Sequence, residues 1–391
     1  MPESVSTKPD GIKKTVPTQL QEEIAASEPT PRHASSFLEA QSVASRRIGF
    51  SVTKACPLRC AHCSVEASPQ LAKTTFTRDF AFRIAEQMTD LGAIDVRFVD
   101  FTGGEPTLAP AFVNTVSAAA ARAGMTCGIV TAAHWARTQQ GALEFIDKFP
   151  HIQNWDISTD IYHLPFVPVE NVEIAFRALR TRGRSATMRI AHHDDIGFEE
   201  AKLIDYVHNF AGRSIGFQPI GPVGRGKDLI TLAAVGESER DPSACASTGL
   251  LIQNDGAGAP CCAPLSHETR DSPLFIGNAF TQDLCDMLAR WRVQPLIQTI
   301  RIWGFRPLEQ WLTGAGFVDT PFYRRQTCDE CVAMLADPAR VRLLDDFANR
   351  LEHRIDLAVA LMRDFKEPWM EMKLKEEARR YLSGEISVWG D

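Results

Sequence analysis

No uncharged run in the 391-residue sequence reaches the ~20 apolar residues that span a bilayer. The longest, Pro106 to Ala121, contains two prolines, Asn114 and Ser117. No transmembrane helix is expected. The first residues lack the apolar core of a secretory signal, and no C-terminal lipidation pattern is present, so the cytoplasm is the expected compartment and no membrane partner is expected. An excess of basic charge is also missing: 42 Lys and Arg against 49 Asp and Glu leave a net charge of −7, which argues against nucleic acid as a partner. No internal repeat is visible. With 44% hydrophobic and 23% charged residues, the chain is neither fibrous nor wholly disordered, and its length suits two or three domains.

What the sequence does have is ten cysteines: Cys56, Cys60, Cys63, Cys127, Cys245, Cys261, Cys262, Cys285, Cys328 and Cys331. They cluster at ligand spacing rather than scattering as a secreted disulfide framework would, and in a reducing compartment such clusters favour metal.

Residues 1–46 carry five prolines, many polar residues and one aromatic, Phe37, so they read as a mostly disordered leader. From Ile48, short apolar runs alternate with amphipathic stretches, the pattern of βα units around a parallel sheet. Strands are expected at Ile48–Thr53, Asp95–Phe101, Thr126–Thr131, Trp155–Ser158, Thr187–Ala191 and Ser214–Pro219. Helices are expected near Arg78–Leu91, Pro110–Ala123, Gly141–Lys148, Val169–Arg182 and Phe198–Ala211. Six right-handed units imply an α/β fold, a partial (β/α)6 TIM-like barrel over residues 47–230, with reactive groups at the C-terminal strand ends. Residues 231–335, rich in Gly, Pro and Cys, read as a small domain built around a metal centre. A helical tail is expected over residues 336–391, with Leu343, Leu344, Phe347 and Leu351 on one face.

Directly after the first strand, Cys56, Cys60 and Cys63 form C-x3-C-x2-C. Such a loop can ligate three irons of a 4Fe-4S cube and leave the fourth open to a chelating cofactor; taken alone, a zinc knuckle using His62 is the alternative. After the second strand come Gly103, Gly104, Glu105 and Pro106. The paired glycines suit a close backbone approach to a ligand, and Glu105 is an acceptor suited to an amino group.

Together, the cysteine triplet and Gly-Gly-Glu-Pro resemble the radical S-adenosylmethionine (SAM) enzymes, over roughly residues 48–230. The resemblance implies that Cys56, Cys60 and Cys63 hold a 4Fe-4S cluster that chelates SAM, whose reductive cleavage yields a 5′-deoxyadenosyl radical. It also implies an electron donor such as flavodoxin or ferredoxin. Gly103, Gly104, Glu105, Ser158, Arg189 and Ile220 match positions that bind SAM in that family: Ser158-Thr159-Asp160 resembles its Ser-x-Asp segment, Arg189 would meet the SAM carboxylate, and Gln218 to Arg225 resembles its sixth-strand turn.

Cys245, Gly256 and Cys261, with the closing pair Cys328 and Cys331, resemble the twitch and SPASM auxiliary-cluster domains, and Phe275-Ile276-Gly277-Asn278 resembles their Gly-Asn strand. The ligand count suits one auxiliary 4Fe-4S cluster, with Cys262 competing with Cys261; a zinc ribbon with cysteine-only ligands is the alternative. Substrate-handling candidates are Asp160, His163, His192 and His193 at strand ends, joined by His134, Trp135, Tyr162, Asp194 and Asp195. Cys285 and Cys127 read as packing, yet with Cys262 they lie outside the ligand sets and are the thiols an epimerase would need. Three outcomes compete: oxidation of a small polar substrate such as a sugar or aminocyclitol, epimerisation through a thiol donor, or modification of a ribosomal peptide. The small molecule is favoured, because only 46 irregular residues precede the first strand. A non-catalytic zinc scaffold would have no need of Gly103, Gly104 and Glu105.

Overall fold

The computed structural model describes residues 43–193, 196–230, 244–245, 249–261, 272–317 and 327–363. Six strands pair in parallel, each with the next in the chain: β1 Arg47–Ser51, β2 Phe98–Thr102, β3 Thr126–Thr131, β4 Asn154–Ser158, β5 Ser185–His192 and β6 Ile215–Pro219. Helices return the chain between them: α1 Arg78–Glu86 with α2 Met88–Ala93, α3 Pro110–Arg122, α4 Gln139–Ile146, α5 Val169–Thr181 and α6 Phe198–Ala211. A strand order that never reverses gives every crossover the same sense, so the helices coat one face and the sheet curls on itself. A doubly wound sheet would instead reverse at a switch point. The fold is α/β, a partial (β/α)6 barrel, as the sequence periodicity implies.

Local chemistry sets the element ends. Thr77 and Thr138 cap α1 and α4, their hydroxyls accepting the Phe80 N–H at 3.2 Å and the Gly141 N–H at 3.1 Å. Pro110 opens α3, where its missing N–H costs nothing. The single helix expected over Arg78–Leu91 is divided at Gln87, which closes α1 and precedes α2; the Gln87 side chain accepts the Leu284 N–H at 2.7 Å. The second strand starts later than Asp95, because Asp95 takes a left-handed φ of 66° and is held by Arg46 at 2.8 Å and Arg97 at 2.7 Å.

Alternation along the strands separates two faces. Phe101, Trp155, Ile157, Met188 and Ile190 are buried, with Phe101 against Phe112 of α3 and Trp155 against Phe149. The residues between them, Asp100, Asp156, Ser158 and Arg189, face the inside of the curl and are only partly buried. There Arg47 pairs with Asp100 at 3.0 Å, and Arg189 pairs with Asp156. A wholly buried parallel sheet reads as continuous apolar strands, so this polar inner face marks an interior open to water or ligand.

The segment after β6 continues the same sheet. β7 Leu250–Ile252 pairs in parallel with β1, and β8 Ala257–Ala259 and β9 Gly277–Asn278 follow antiparallel. The physical reason is the apolar triplet of β7, entirely buried, which is covered by adding to the edge of β1. Helices follow: α7 Leu284–Val293, α8 Pro295–Trp303, α9 Arg306–Gly314, α10 Thr327–Leu335, α11 Pro338–Ala348 and α12 Leu351–Arg363. In α11, Val341, Leu344 and Ala348 are buried. No helix among the described residues is long and apolar enough to cross a membrane.

Candidate functional site

The loop after β1 carries the cysteine triplet and is closed on itself. The Cys56 N–H bonds the Ser68 carbonyl at 3.2 Å, and the Ser68 N–H returns to the Lys54 carbonyl at 3.0 Å. Arg225, beyond β6, clamps it: its guanidinium donates to the carbonyls of Cys60 at 2.9 Å and Ala67 at 3.0 Å, and its N–H to the Cys63 carbonyl at 3.0 Å. Gly224 makes this approach possible. It has a φ of 55°, and a Cβ there would lie 2.3 Å from the Ser64 carbonyl oxygen. Sequence reading matched this turn only as a motif; its role as a clamp depends on the curl that brings β6 back toward the loop.

Gly103 and Gly104 press against the same loop. A Cβ on Gly103 would lie 2.5 Å from the Thr53 carbonyl oxygen, and one on Gly104 2.2 Å from that of Ala55. The Gly104 and Glu105 N–H groups donate to those two carbonyls at 2.6 and 2.8 Å. The neighbour approached so closely by the glycines is thus the backbone of the cysteine loop.

Glu105 is buried, and its carboxylate is met by protein donors: Thr107 Oγ1 at 2.6 Å, the Thr107 N–H at 3.2 Å, Thr131 Oγ1 at 3.0 Å and the Ala132 N–H at 3.1 Å. His134 Nδ1 stands 3.6 Å away. Glu105 therefore ties the end of β2 to the end of β3, in contrast to the amino-group acceptor expected from the sequence. Burial alone would raise its pKa, but the His134, Thr107 and Ala132 contacts outweigh it and hold the carboxyl below the ordinary 4.5. A depressed folded pKa contributes stability that is fully present above the unfolded value and is lost as pH falls through the folded one. Glu105→Ala is expected to cost about 3 kcal/mol near neutral pH, since it leaves several buried donors unpaired. Thermal midpoints of both proteins across an acidic pH series test this, and a gap that does not narrow toward low pH would count against it.

At the end of β4, Asp160 lies buried between two imidazoles. His163 Nδ1 is 2.8 Å from Oδ2, and His62 Nε2 is 3.3 Å from the same oxygen; the N–H groups of Tyr162 and His163 donate to Oδ1 at 2.9 and 3.1 Å. Burial opposes a charged His163 ring, but the Asp160 carboxylate and, after it, the Cys60 thiol raise its pKa to about 10. Burial pushes His62 down instead. The His62 ring packs 5.2 Å from those of both Tyr162 and His163. The Tyr162 hydroxyl is hydrogen bonded to His193 Nε2.

Other candidates are placed as follows. Arg189 pairs with Asp156 and reaches Gln218 Oε1 at 3.4 Å, while Ser158 stands beside it in register. Ile220 is buried, and its N–H donates to the His192 carbonyl at 3.0 Å. His192 is buried, with Nδ1 2.9 Å from the His193 carbonyl, so it belongs to the wall while His193 faces Tyr162. Asp194, Asp195 and Cys262 lie outside the described residues.

Cys285 is not at the strand ends. It lines an open pocket of about 350 Å³ with Arg83, Gln87, Asp90, Asp283 and Asp286. α1 runs back along the barrel from the strand ends, so the residues closing α1 and opening α2 stand at the opposite end from the cysteine loop. A substrate at the strand ends is out of its reach, which corrects its place among the catalytic candidates. Cys127 is buried in β3, where burial and Asp100 push its thiol up to about 12. In the later segment, Cys331 is partly buried, and its thiol is raised by desolvation and by the thiols of Cys245 and Cys328. Cys261 follows Pro260, whose carbonyl accepts the Trp291 indole N–H at 3.0 Å.

The donor set of the first loop discriminates between metals. At a Zn–S distance of about 2.3 Å, tetrahedral geometry places two thiolates about 3.8 Å apart. Among the described residues, the only three His, Cys, Asp or Glu side chains with all ligand atoms within 4.8 Å of one another are His62, Asp160 and His163. The cysteines are spaced more widely, yet Cys60 and Cys63 both help to raise the Cys56 thiol, which burial pushes up to about 12. Two buried thiols and a partly buried one, coupled but not all close enough together to share one ion, and with His62 turned toward Asp160, fit an iron–sulfur cube.

A partial barrel whose first strand end carries a cluster-spaced cysteine loop defines a class of metallocofactor enzyme. Residues 50–153 match the family model of the Radical SAM superfamily, so this segment carries a radical SAM domain. No curated protein matches it in sequence. Among solved structures it is similar to BtrN in complex with AdoMet and 2-DOIA, at 13% identity and a TM-score of 0.42, covering 67% of this chain and 89% of that one. It is also similar to native anSMEcpe with bound AdoMet and Cp18Cys peptide, at 12% identity and a TM-score of 0.44, over 77% and 99%. The FeFe-hydrogenase maturase HydG from Carboxydothermus hydrogenoformans matches at 14% identity and a TM-score of 0.33, over 52% and 56%.

Proposed function

We propose that the protein oxidises a small polar metabolite, of the sugar or aminocyclitol class, by radical SAM chemistry. The observation that carries the reading is the Cys56, Cys60 and Cys63 loop, spaced for a cluster and held at the barrel mouth by Gly104 and Arg225. The SAM-binding cluster held there supplies, when loaded, a 5′-deoxyadenosyl radical that removes one substrate hydrogen atom. Ser158 and Arg189 stand on the inner face to orient the methionyl end of SAM. Tyr162 and His193 are assigned as the proton acceptor: the two are hydrogen bonded, and in the tautomer that leaves Nε2 unprotonated the phenol passes its proton to the ring as its oxygen takes one from the substrate.

Oxidation also requires an electron acceptor. Cys245, Cys261, Cys328 and Cys331 are the ligands assigned to an auxiliary 4Fe-4S cluster, which would supply that acceptor; the reading is supported by Cys245 and Cys328 lying near enough to Cys331 to raise its thiol. Epimerisation would need a thiol at the strand ends, and of the two candidates among the described residues, Cys127 and Cys285, neither is there. Flavodoxin or ferredoxin is the assigned electron donor to the first cluster.

Mass spectrometry of products from candidate sugars and aminocyclitols, under anaerobic turnover, tests the reading. The product is expected to be two mass units lighter than the substrate, one hydrogen leaving as an atom and one as a proton. Alanine at both Cys328 and Cys331 should preserve substrate-free SAM cleavage and abolish turnover. A product of unchanged mass carrying one solvent deuterium would make the protein an epimerase instead.

A further inference from the structure

Beside the cysteine loop stands a second group of ligand-type side chains that includes no cysteine. His62 Nε2 and His163 Nδ1 lie 3.3 and 2.8 Å from the same oxygen of Asp160, Oδ2, and the three atoms all fall within 4.8 Å of one another. Around an ion with bonds of about 2.0–2.2 Å, tetrahedral geometry sets nitrogen and oxygen ligands about 3.4 Å apart. The His62 pair already matches that spacing, and the His163 pair needs to open by only about half an ångström. Two imidazole nitrogens with one carboxylate oxygen suit a divalent first-row metal such as zinc. The fold also orients the ligands. The other carboxylate oxygen, Oδ1, accepts the Tyr162 and His163 N–H groups at 2.9 and 3.1 Å, which turns Oδ2 toward the two rings, as outer hydrogen bonds do for ligating carboxylates. His62 Nδ1 makes no hydrogen bond among the described residues, so that ring is aimed by its Nε2 contact and by its packing against Tyr162. The side chains of His62, His163 and Asp160 are 14, 12 and 1% exposed, which limits competition from bulk water.

We propose that His62, Asp160 and His163 form a binding site for one divalent first-row metal ion, zinc foremost, separate from the cysteine cluster. The ion takes the place of the proton between His163 Nδ1 and the Asp160 carboxylate, and that proton leaves to solvent, because a ligating imidazole nitrogen is deprotonated. His62 belongs to the cysteine loop, whereas Asp160 and His163 follow β4, so the ion joins the two segments and adds to the tie that Arg225 makes from beyond β6. Three protein ligands leave a fourth position on the ion for a water or a substrate oxygen. No ligand is shared with Cys56, Cys60 and Cys63, so the site depends neither on the cluster reading nor on the oxidation proposed above.

The test uses the full chain, reconstituted anaerobically with iron and sulfide, then incubated with zinc sulfate and desalted. Elemental analysis is expected to find about one zinc per chain added to an unchanged iron content. X-ray absorption at the zinc edge should show only nitrogen and oxygen neighbours at about 2.0–2.2 Å, with imidazole scattering and no sulfur near 2.3 Å. Asp160→Asn and His163→Gln should each retain at least tenfold less zinc at unchanged iron, and zinc should raise the thermal midpoint of the parent but of neither variant. A parent that retains no zinc would overturn the proposal, as would sulfur in the first shell, which puts the zinc on cysteines, or equal retention in parent and variants. Should a variant lose its iron as well, anomalous diffraction at the zinc edge from zinc-soaked parent crystals decides: a peak between the three side chains supports the site, and its absence overturns it. Failure of the parent to bind iron would remove the cluster reading instead, and the zinc content reports on the present site separately.

Discussion

Replacing Cys56, Cys60 and Cys63 together by alanine is expected to abolish SAM cleavage and to lower the iron content from about eight to about four per chain. The effect is total because the three thiols are the only cysteines at the barrel mouth among the described residues, and nothing nearby substitutes for them. His62, the neighbour whose chemistry comes closest, is turned toward Asp160 at 3.3 Å. Iron and sulfide counts on anaerobically reconstituted protein, with 5′-deoxyadenosine formation under dithionite, measure both halves. Zinc without iron in anaerobically purified wild-type protein, or undiminished 5′-deoxyadenosine from the triple variant, would refute the assignment.

The second large effect is expected from a single methyl group. In Gly104→Ala the new Cβ would stand 2.2 Å from the Ala55 carbonyl oxygen and 2.8 Å from its carbon. Both are backbone atoms just before Cys56, so no side-chain rotation relieves the clash; the cysteine loop must move or the end of β2 must distort. Overpacking of this kind costs about 1–3 kcal/mol, and it falls on the element whose position decides whether the three sulfurs meet a cluster. Iron retained after desalting should drop by more than half, with a lower thermal midpoint. Gly197→Ala is the control: its φ is −77° and nothing lies within 4 Å of the added Cβ, so iron retention should stay unchanged. Equal iron in the two variants would show that the glycine pair has no part in holding the loop.

Much of the architecture is legible in the sequence because its signals are local. Short apolar runs separated by amphipathic stretches set six strands and the helices between them, and only the ends shift, where Asp95 and Gln87 impose their own backbone. The cysteine spacing is legible for the same reason: a C-x3-C-x2-C loop lies within eight residues. The fate of residues 231–335 is less so. Their Gly, Pro and Cys content suggests a loop-built appendage, but Leu250–Ile252 is apolar and adds to β1. Whether such a triplet finds its own partner or an existing edge is not encoded within it.

The sequence by itself determined the parallel α/β scaffold, the cysteine loop after its first strand and the Gly-Gly-Glu-Pro turn after its second, since each follows from periodicity or from residue types a few positions apart. Only the tertiary structure decided what those residues touch. It turned Glu105 from a ligand acceptor into a buried tie between β2 and β3, and carried Cys285 to the far end of the barrel. It brought His62, Asp160 and His163 together from positions about a hundred residues apart. The reason is the curl of the sheet: strand ends distant in sequence converge at one mouth, and the resulting hydrogen bonds depend on angles and depths that residue spacing does not carry.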